Sequence, residues 1–275
     1  MLKDDRGVTV RLTARPARIV ALSPHLAEIV FTAGAASQLA AVVRHSDYPA
    51  AVRKLPQVGD ASRVDRERVI AIGPDLVLAW KSGNPVHDVE RLERLGIPVF
   101  VTEPRRLTDI ARLIRTTGVL AGTESEAERA AAALERELAS LRARYGGARP
   151  VRVFYEIWHR PLLTVNGEHL ISDVLALCGG VNVFAGAPVL TPSVSLEAVL
   201  AARPHVILGG SSAMRPGELE SEWRAVRVAA IRTLPVRHVP PDLIQRQTTR
   251  IVQGARAVCE HLDAIRSLYG ARPSK

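Results

Sequence analysis

The sequence predicts an α/β protein of two similar lobes, each with a mostly parallel sheet and flanking helices, joined by one long helix. Three observations support this prediction: strands and helices alternate in both halves, one short module occurs twice, and a long helical segment separates the halves. With 275 residues, 47% of them apolar, the chain is long enough for two ordinary domains with real cores. The predicted bounds are 1–122 for the N-terminal lobe, 123–146 for the connecting helix and 147–275 for the C-terminal lobe.

In the first half, apolar runs alternate with helical stretches, and the links between them are short. This pattern is typical of a parallel sheet with helices on both faces. The predicted elements are, in order, a strand at 18–22, a helix closed by Gly34, a strand at 39–44, a short helix before Pro74, a strand at 75–80, a helix at 85–96 and a strand at 97–102.

The segment 123–145 is predicted to be one long helix. It consists almost only of helix-forming residues, and Ser125 with Glu128 suggests a capping box at its start. Its apolar residues recur at three- and four-residue spacing along one face. At 1.5 Å per residue such a helix is about 35 Å long, so it can act as a rigid connection between the two lobes.

The second half follows the same order of elements as the first. It contains a predicted strand at 151–158, a helix at 171–180, the second copy of the module, a strand at 236–240 and a closing helix from about Thr249 to Tyr269. The chain is therefore expected to hold two lobes related by pseudo-symmetry.

The repeated module reads VDRERVIAIGPDLVLAW at 64–80 and VSLEAVLAARPHVILGG at 194–210. Each copy predicts a short helix, a turn marked by proline and a buried strand. The positions kept are Val64/Val194, Glu67/Glu197, Val69/Val199, Ala71/Ala201, Pro74/Pro204 and Leu78/Leu208. Such helix-turn-strand units recur in any α/β protein. A glutamate at the same position of both copies, however, favours a shared function for the two copies.

Composition and motifs exclude several classes of protein. The net charge of +9 comes from scattered arginines, and 4% aromatic residues are too few for a nucleic-acid stacking platform. No apolar run is long enough to span a bilayer, and the first 20 residues lack the apolar region of a signal peptide. The chain is therefore expected to be cytosolic, or to be a mature secreted protein numbered without its signal. The sequence contains no hydrolase elbow, P-loop, zinc-protease or dinucleotide motif.

The eight histidines stand isolated, at no spacing typical of metal ligands. The two cysteines, Cys178 and Cys259, also lack such spacing. They are either two separate buried thiols or one disulfide, and spacing alone does not decide between these alternatives. A disulfide would place the protein outside the cytosol.

Binding is the function that remains, and the predicted strand ends carry the candidate residues. In open α/β sheets, ligands bind beyond the carboxyl ends of the strands. Tyr48, Trp80 and Trp158 follow three of these strands, and Asp242 and Arg246 follow the last one. If the two lobes face each other, these residues line a cleft for a large, flat, partly apolar ligand with polar edges.

Taken together, these features resemble a known family. The chain is similar to the class III substrate-binding proteins of ABC importers for metal chelates. The similarity lies in the stretches RIVALSPHLAEIVFTAGA, SDYP and ERVIAIGPDLVLAWKSGN, and in the two Rossmann-like lobes expected on one long helix. These importers take up vitamin B12, haem and ferric siderophores. The SDYP and PDLVLAW-x-x-GN stretches resemble the vitamin B12 binders in particular, and the likeness runs from about Arg18 to Arg266.

The resemblance implies a periplasmic, non-catalytic, monomeric protein that captures a corrinoid such as cobalamin and delivers it to a dimeric ABC permease in the inner membrane. It implies that Glu67 and Glu197 dock on the permease, and that Cys178 and Cys259 form a disulfide. The residues implied to contact the ligand are Tyr48, Trp80, Trp158, Asp242 and Arg246. No catalytic cofactor, protein-bound metal or nucleic-acid partner is implied.

The chain departs from the vitamin B12 binders at two positions where they carry a tryptophan, here near Ala61 and Thr191, and Trp158 is only near the position of a cleft phenylalanine. A haem or ferric-siderophore binder of the same class is therefore an alternative, with Tyr48, His25 or His159 as haem ligand. A cytosolic two-lobed α/β enzyme is a second alternative, which free thiols would favour. A scaffold or sensor protein is a third.

Overall fold

The structure is a computed structural model that describes residues 1–211, 214 and 217–270. Contacts divide the chain into two compact units, Met1–Pro104 with Thr108–Glu135 and Arg105–Leu107 with Arg136–Lys275. The division falls within the long helix, between Glu135 and Arg136. The lobe bounds expected from the sequence remain a prediction.

The first half of the chain contains one four-stranded sheet, two small hairpins, four α-helices and two short 3-10 helices. All neighbours in the four-stranded sheet are parallel, in the order β4-β3-β7-β8, whereas β1-β2 and β5-β6 are antiparallel. The elements are β1 (Leu2–Lys3), β2 (Thr9–Val10), β3 (Ile19–Ala21), α1 (Pro24–Thr32), β4 (Leu39–Val42), β5 (Gly59–Asp60), β6 (Arg63–Val64), α2 (Arg66–Ile72), β7 (Leu76–Trp80), α3 (Val86–Arg94), β8 (Val99–Thr102) and α4 (Leu107–Ala121).

The long helix α5 follows (Glu124–Tyr145), and the second half builds another parallel sheet, in the order β10-β9-β11-β12. Its elements are β9 (Val151–Glu156), α6 (Leu170–Leu177), β10 (Gly180–Asn182), α7 (Leu196–Ala201), β11 (Val206–Gly209), α8 (Glu218–Ala225), α9 (Ala229–Arg232), β12 (Val236–His238), α10 (Pro241–Ile244) and α11 (Ile251–Gly270). Counted along the chain, both sheets have the strand order 2-1-3-4. The predicted α/β fold of two similar parallel sheets is confirmed.

Apolar packing explains why these segments form strands. Residues of β3 and β7 alternate between the two faces of a sheet that is covered on both sides, so the whole of Ile19–Ala21 and nearly all of Leu76–Trp80 is buried. The same holds for Val206–Gly209 in the second sheet. Burial of both faces accounts for the continuous apolar runs that predicted these strands.

Several predicted bounds and one predicted cap differ from the structure; for example, the strand expected at 236–240 ends at His238 and the helix expected at 171–180 ends at Leu177. The strand expected at 39–44 ends at Val42, and the one expected at 151–158 ends at Glu156, since a turn begins there. The capping box expected at Ser125 and Glu128 is wrong, because α5 begins at Glu124 and Ser125 therefore lies inside its first turn.

The disulfide that the resemblance implied is confirmed. Cys178, the C-cap of α6, is bonded to Cys259 in α11, with the two Cα atoms 4.7 Å apart. Both residues are fully buried. The bond therefore fastens the closing helix to the helix that follows the first strand of the second sheet.

None of the described helices combines the length and the apolar composition that a membrane span requires. In the described part of the chain, acidic, histidine and cysteine side chains form no group of three that could hold a metal ion.

His169 begins α6 as its N-cap, and its Nδ1 atom accepts a hydrogen bond from the Ile171 N–H at 3.1 Å. Acceptance requires the neutral imidazole. Burial, with the nearby positive charge of Arg105, lowers the pKa of His169 to about 4. In the unfolded chain the group takes up its proton near pH 6.5. Its contribution to stability is therefore complete above about pH 6.5 and is lost as the pH falls towards 4.

Between pH 8 and pH 5, we expect protonation of His169 in the unfolded chain to lower the free energy of unfolding by about 2 kcal/mol. Urea unfolding of the wild type and of His169→Asn at both pH values measures this difference. Asparagine caps helices well and does not titrate, so the variant should lose that much less stability on acidification. An equal loss in both proteins would contradict the assignment.

Candidate ligand-binding and docking residues

The two copies of the repeated module fold alike at their glutamates. Glu67 and Glu197 are each the second residue of a short helix, α2 or α7, and both are exposed. Each helix is capped by the residue two positions before the glutamate: Asp65 accepts from the Arg68 N–H at 3.1 Å, and Ser195 accepts from the Ala198 N–H at 3.2 Å. One turn later, Val69 and Val199 are fully buried and anchor each helix. Both carboxylates are therefore presented on fixed first turns.

The surroundings of the two glutamates differ in charge. Glu67 is flanked in sequence by Arg66 and Arg68, whereas Glu197 is flanked by uncharged Leu196 and Ala198. The backbone N–H of Glu197 and the Ser195 hydroxyl lower the pKa of its carboxyl, so it is ionised at neutral pH. Glu67 also borders a surface cavity of about 560 Å³ with a mostly charged lining, formed by Arg44, Gly59, Asp60, Arg63, Val64, Asp65, Arg66 and Glu67.

Trp80 is the last residue of β7 and is partly buried. Its indole meets the ring of His25 edge to face, with centroids 5.2 Å apart. The side-chain oxygen of Asn84 accepts a hydrogen bond from the Trp80 N–H at 2.7 Å. The Asn84 amide donates to the carbonyls of Leu22 and Ala61, each at 2.8 Å. Asn84 is buried, so these bonds fasten the end of β7 to the end of β3 and to the β5–β6 turn.

Tyr48 lies in the loop after β4 and leaves 48% of its surface exposed. Strands β4 and β7 flank β3 in the parallel sheet, so the loops of Tyr48 and Trp80 leave the same edge of that sheet. The structure therefore brings these two predicted residues to one end of the first unit.

Trp158 lies in a tight turn that follows β9 and is 40% exposed. Its indole N–H donates to the Arg160 carbonyl at 2.9 Å, and its backbone bridges to Leu163. The turn is thus closed on itself and presents the ring at the carboxyl edge of the second sheet.

Asp242 and Arg246 follow β12 and form an ion pair, with Nη2 and Oδ1 3.0 Å apart. The arginine side chain is 15% exposed and the aspartate side chain 47%. Strand β12 is separated from β9 by one strand, β11, so this pair and Trp158 lie at the same edge of the second sheet. Sequence reasoning placed all three there.

A network of charged side chains and a histidine around the buried Glu156, next to the Trp158 turn, was missed. Glu156 is 1% exposed; it accepts a hydrogen bond from the Trp223 indole N–H and contacts His159 Nδ1 at 3.0 Å. The other ring nitrogen of His159 lies 3.2 Å from Glu222, which also contacts Arg160 at 2.8 Å. Burial raises the pKa of the Glu156 carboxyl, and His159 and Trp223 oppose that shift.

In the folded chain His159 is therefore not isolated, although its contacts with Glu156 and Glu222 form no group that could hold a metal ion. The spacing of Glu156 and His159, three residues apart at a strand end, was the available signal. Contacts to carboxylates at both ring nitrogens also make His159 a poor haem ligand.

Comparisons with known proteins agree with this architecture. A family model for periplasmic binding proteins matches residues 19–243. The vitamin B12-binding protein of Vibrio parahaemolyticus is 34% identical over 249 residues, 90% of each chain. The solved structure of the periplasmic vitamin B12 binding protein BtuF of Vibrio cholerae is 32% identical and has a TM-score of 0.82, covering 91% of this chain and 98% of its own.

A further solved structure, the periplasmic heme-binding protein RhuT from Roseiflexus sp. RS-1 in its apo form, is 22% identical, with a TM-score of 0.75 over 91% of this chain and 98% of its own. At that identity the likeness concerns the fold alone. The family model and the curated relative each extend over most of the chain, including both copies of the repeated module. The chain therefore belongs to the periplasmic binding protein family.

Proposed function

We propose that this protein captures a corrinoid, cobalamin or a close analogue, in a cleft between its lobes and delivers it to an ABC permease. The observation that carries the proposal is the 34% identity to a vitamin B12-binding protein over 90% of both chains. Transport requires no bond to be made or broken, so the protein acts as a carrier and not as an enzyme.

The candidate ligand contacts are Tyr48, Trp80, Trp158, Asp242 and Arg246. The three aromatic rings offer faces that suit a flat macrocycle, and the ion pair offers a donor and an acceptor for its amides or phosphate. With an alanine at position 61 and a threonine at position 191, the proposed cleft would have less aromatic surface than two further tryptophans would provide. A corrinoid with a different lower ligand is therefore included in the proposed substrate class.

The proposed location is the periplasm, and the disulfide supports it. Buried disulfides persist in oxidising compartments and are rare in the cytosol. The same bond counts against the cytosolic enzyme, which free thiols would have favoured. The protein is proposed to act there as a monomer, without a catalytic cofactor.

Haem is the second candidate ligand. Tyr48 is half exposed at the edge of the first sheet, where a phenolate could reach a haem iron. His25 is 3% exposed and bonds Ser23 through Nδ1 at 2.7 Å, so it is less accessible than Tyr48.

Titration of the purified protein with cyanocobalamin, cobinamide, hemin and a ferric siderophore in parallel tests the proposal. Tryptophan fluorescence and calorimetry would report saturable one-to-one binding of a corrinoid at about micromolar Kd or tighter, equivalent to at least about 8 kcal/mol. Tight hemin binding without corrinoid binding would move the assignment to haem. Binding of none of the four would refute ligand capture.

The proposed docking residues are Glu67 and Glu197, whose carboxylates would meet basic groups on a dimeric permease. Exposed interfacial charges act mainly on association rate and register. We expect the double variant Glu67→Lys/Glu197→Lys to bind cyanocobalamin as the wild type does and to support about tenfold slower uptake.

Uptake of radiolabelled cyanocobalamin by cells that carry the protein with its permease measures this effect. Glu90→Lys, at an exposed glutamate on α3, is the matched control and should transport normally. Normal uptake by the double variant would exclude the two glutamates from docking.

A further inference from the structure

Gly83 lies directly against the indole of Trp80. A Cβ atom added to Gly83 would be 1.9 Å from Cε3, 2.4 Å from Cζ3 and 2.6 Å from Cδ2 of that ring. Gly83 is not among the glycines with left-handed backbone, so an alanine could adopt its conformation. The side chain of Trp80, and not the backbone, therefore requires glycine at position 83.

The chain folds back on Trp80 through a tight turn. The backbone N–H groups of Gly83 and Asn84 both donate to the Trp80 carbonyl, at 3.2 and 2.9 Å. Asn84 then accepts from the Trp80 N–H, as described above. The main chain on which Gly83 sits is thus fixed relative to the main chain that carries the indole.

His25 supplies a second contact to the same indole. Its ring is buried, is nearly perpendicular to the indole at 86°, and is oriented by the bond between Nδ1 and the Ser23 hydroxyl. Gly83 and His25 together leave the indole little freedom to rotate. An aromatic ring held in one rotamer before a ligand arrives loses less conformational entropy on binding.

We propose that Gly83 is a positioning residue, which allows the Trp80 indole to lie in its ligand-ready orientation by leaving room for it. This inference rests on the proposed capture of a corrinoid and deepens it. It assigns one face of the Trp80 ring as a contact surface that is already ordered before a flat ligand binds. Any side chain at position 83 would push the ring out of that orientation while the rest of the loop keeps its hydrogen bonds.

The test is Gly83→Ala, compared with Gly186→Ala as a matched control. Gly186 is exposed, has no left-handed backbone and has no atom within 4 Å of the added Cβ. We expect Gly83→Ala to weaken cyanocobalamin binding about tenfold, which is about 1.4 kcal/mol, with an unchanged melting temperature. Gly186→Ala should bind as the wild type does.

A double-mutant cycle separates positioning from a general structural effect. If Gly83 acts through the indole, Gly83→Ala should change affinity less than about twofold in a Trp80→Ala background. The same tenfold loss in both backgrounds would overturn the proposal.

A second readout needs no ligand. The near-ultraviolet circular dichroism difference between Gly83→Ala and Gly83→Ala/Trp80→Phe isolates the Trp80 signal, and it should differ from the difference between wild type and Trp80→Phe. If no corrinoid binds to the wild type, the proposed function fails, yet this spectrum still decides whether Gly83 orients the ring. An unchanged Trp80 signal would refute the inference in either case.

Discussion

Replacing Cys178 and Cys259 together by alanine is expected to lower the free energy of unfolding by about 4 kcal/mol. The disulfide closes a loop with a sequence separation of 81 residues, and this loop contains three of the four strands of the second sheet. In the chain-entropy model, opening so long a loop gives the unfolded chain many more conformations. The loss should appear in the unit that contains β9 to β12.

Urea unfolding followed by circular dichroism measures this loss. The chain has only these two cysteines, so a reducing agent acts on this bond alone. Reduction should destabilise the wild type by a similar amount and leave the double variant unaffected. A double variant with the unfolding midpoint of the oxidised wild type would show that the bond contributes little.

Trp80→Ala is expected to weaken cyanocobalamin binding about 30- to 100-fold, or by about 2–3 kcal/mol. The indole is large, partly buried and held by Gly83 and His25, so its removal takes away apolar contact area that is already ordered. Fluorescence of the remaining tryptophans and calorimetry measure the affinity. Trp80→Phe, which keeps a smaller ring, should fall between the wild type and alanine.

Leu95→Ala is the control for this prediction. Leu95 is 52% exposed at the C-cap of α3, so its truncation removes surface apolar area without touching the Trp80 loop. It should leave the affinity unchanged. Equal affinity of Trp80→Ala and the wild type would show that Trp80 does not contact the ligand.

Most strands and the long helix could be predicted because their signals are local. A strand buried on both faces needs an unbroken apolar run, as in Leu76–Trp80 and Val206–Gly209. The hairpin of β5 and β6 was missed since each strand has two residues. Its turn depends on Asp60, whose Oδ1 atom accepts from the Ser62 N–H, the Ser62 hydroxyl and the Arg63 N–H.

The sequence predicted which residues form the candidate site, but not the contacts that hold those residues in place. Aromatic and charged residues after strands could be found because parallel strands end at one edge of a sheet. Asn84 could not be assigned its role, because its two carbonyl partners, Leu22 and Ala61, are distant in sequence. The contact between His159 and Glu222 was hidden for the same reason.

The sequence alone determined the fold class, the repeated module with its two glutamates, and the set of aromatic residues at strand ends, because apolar periodicity, turn residues and local motifs are properties of neighbouring residues. Only the tertiary structure decided the strand order, the burial of Glu156, and the contact between the Trp80 indole and the His25 ring. These features arise where segments far apart in the chain meet, and the free energy that fixes them comes from packing and desolvation, which a local pattern does not record.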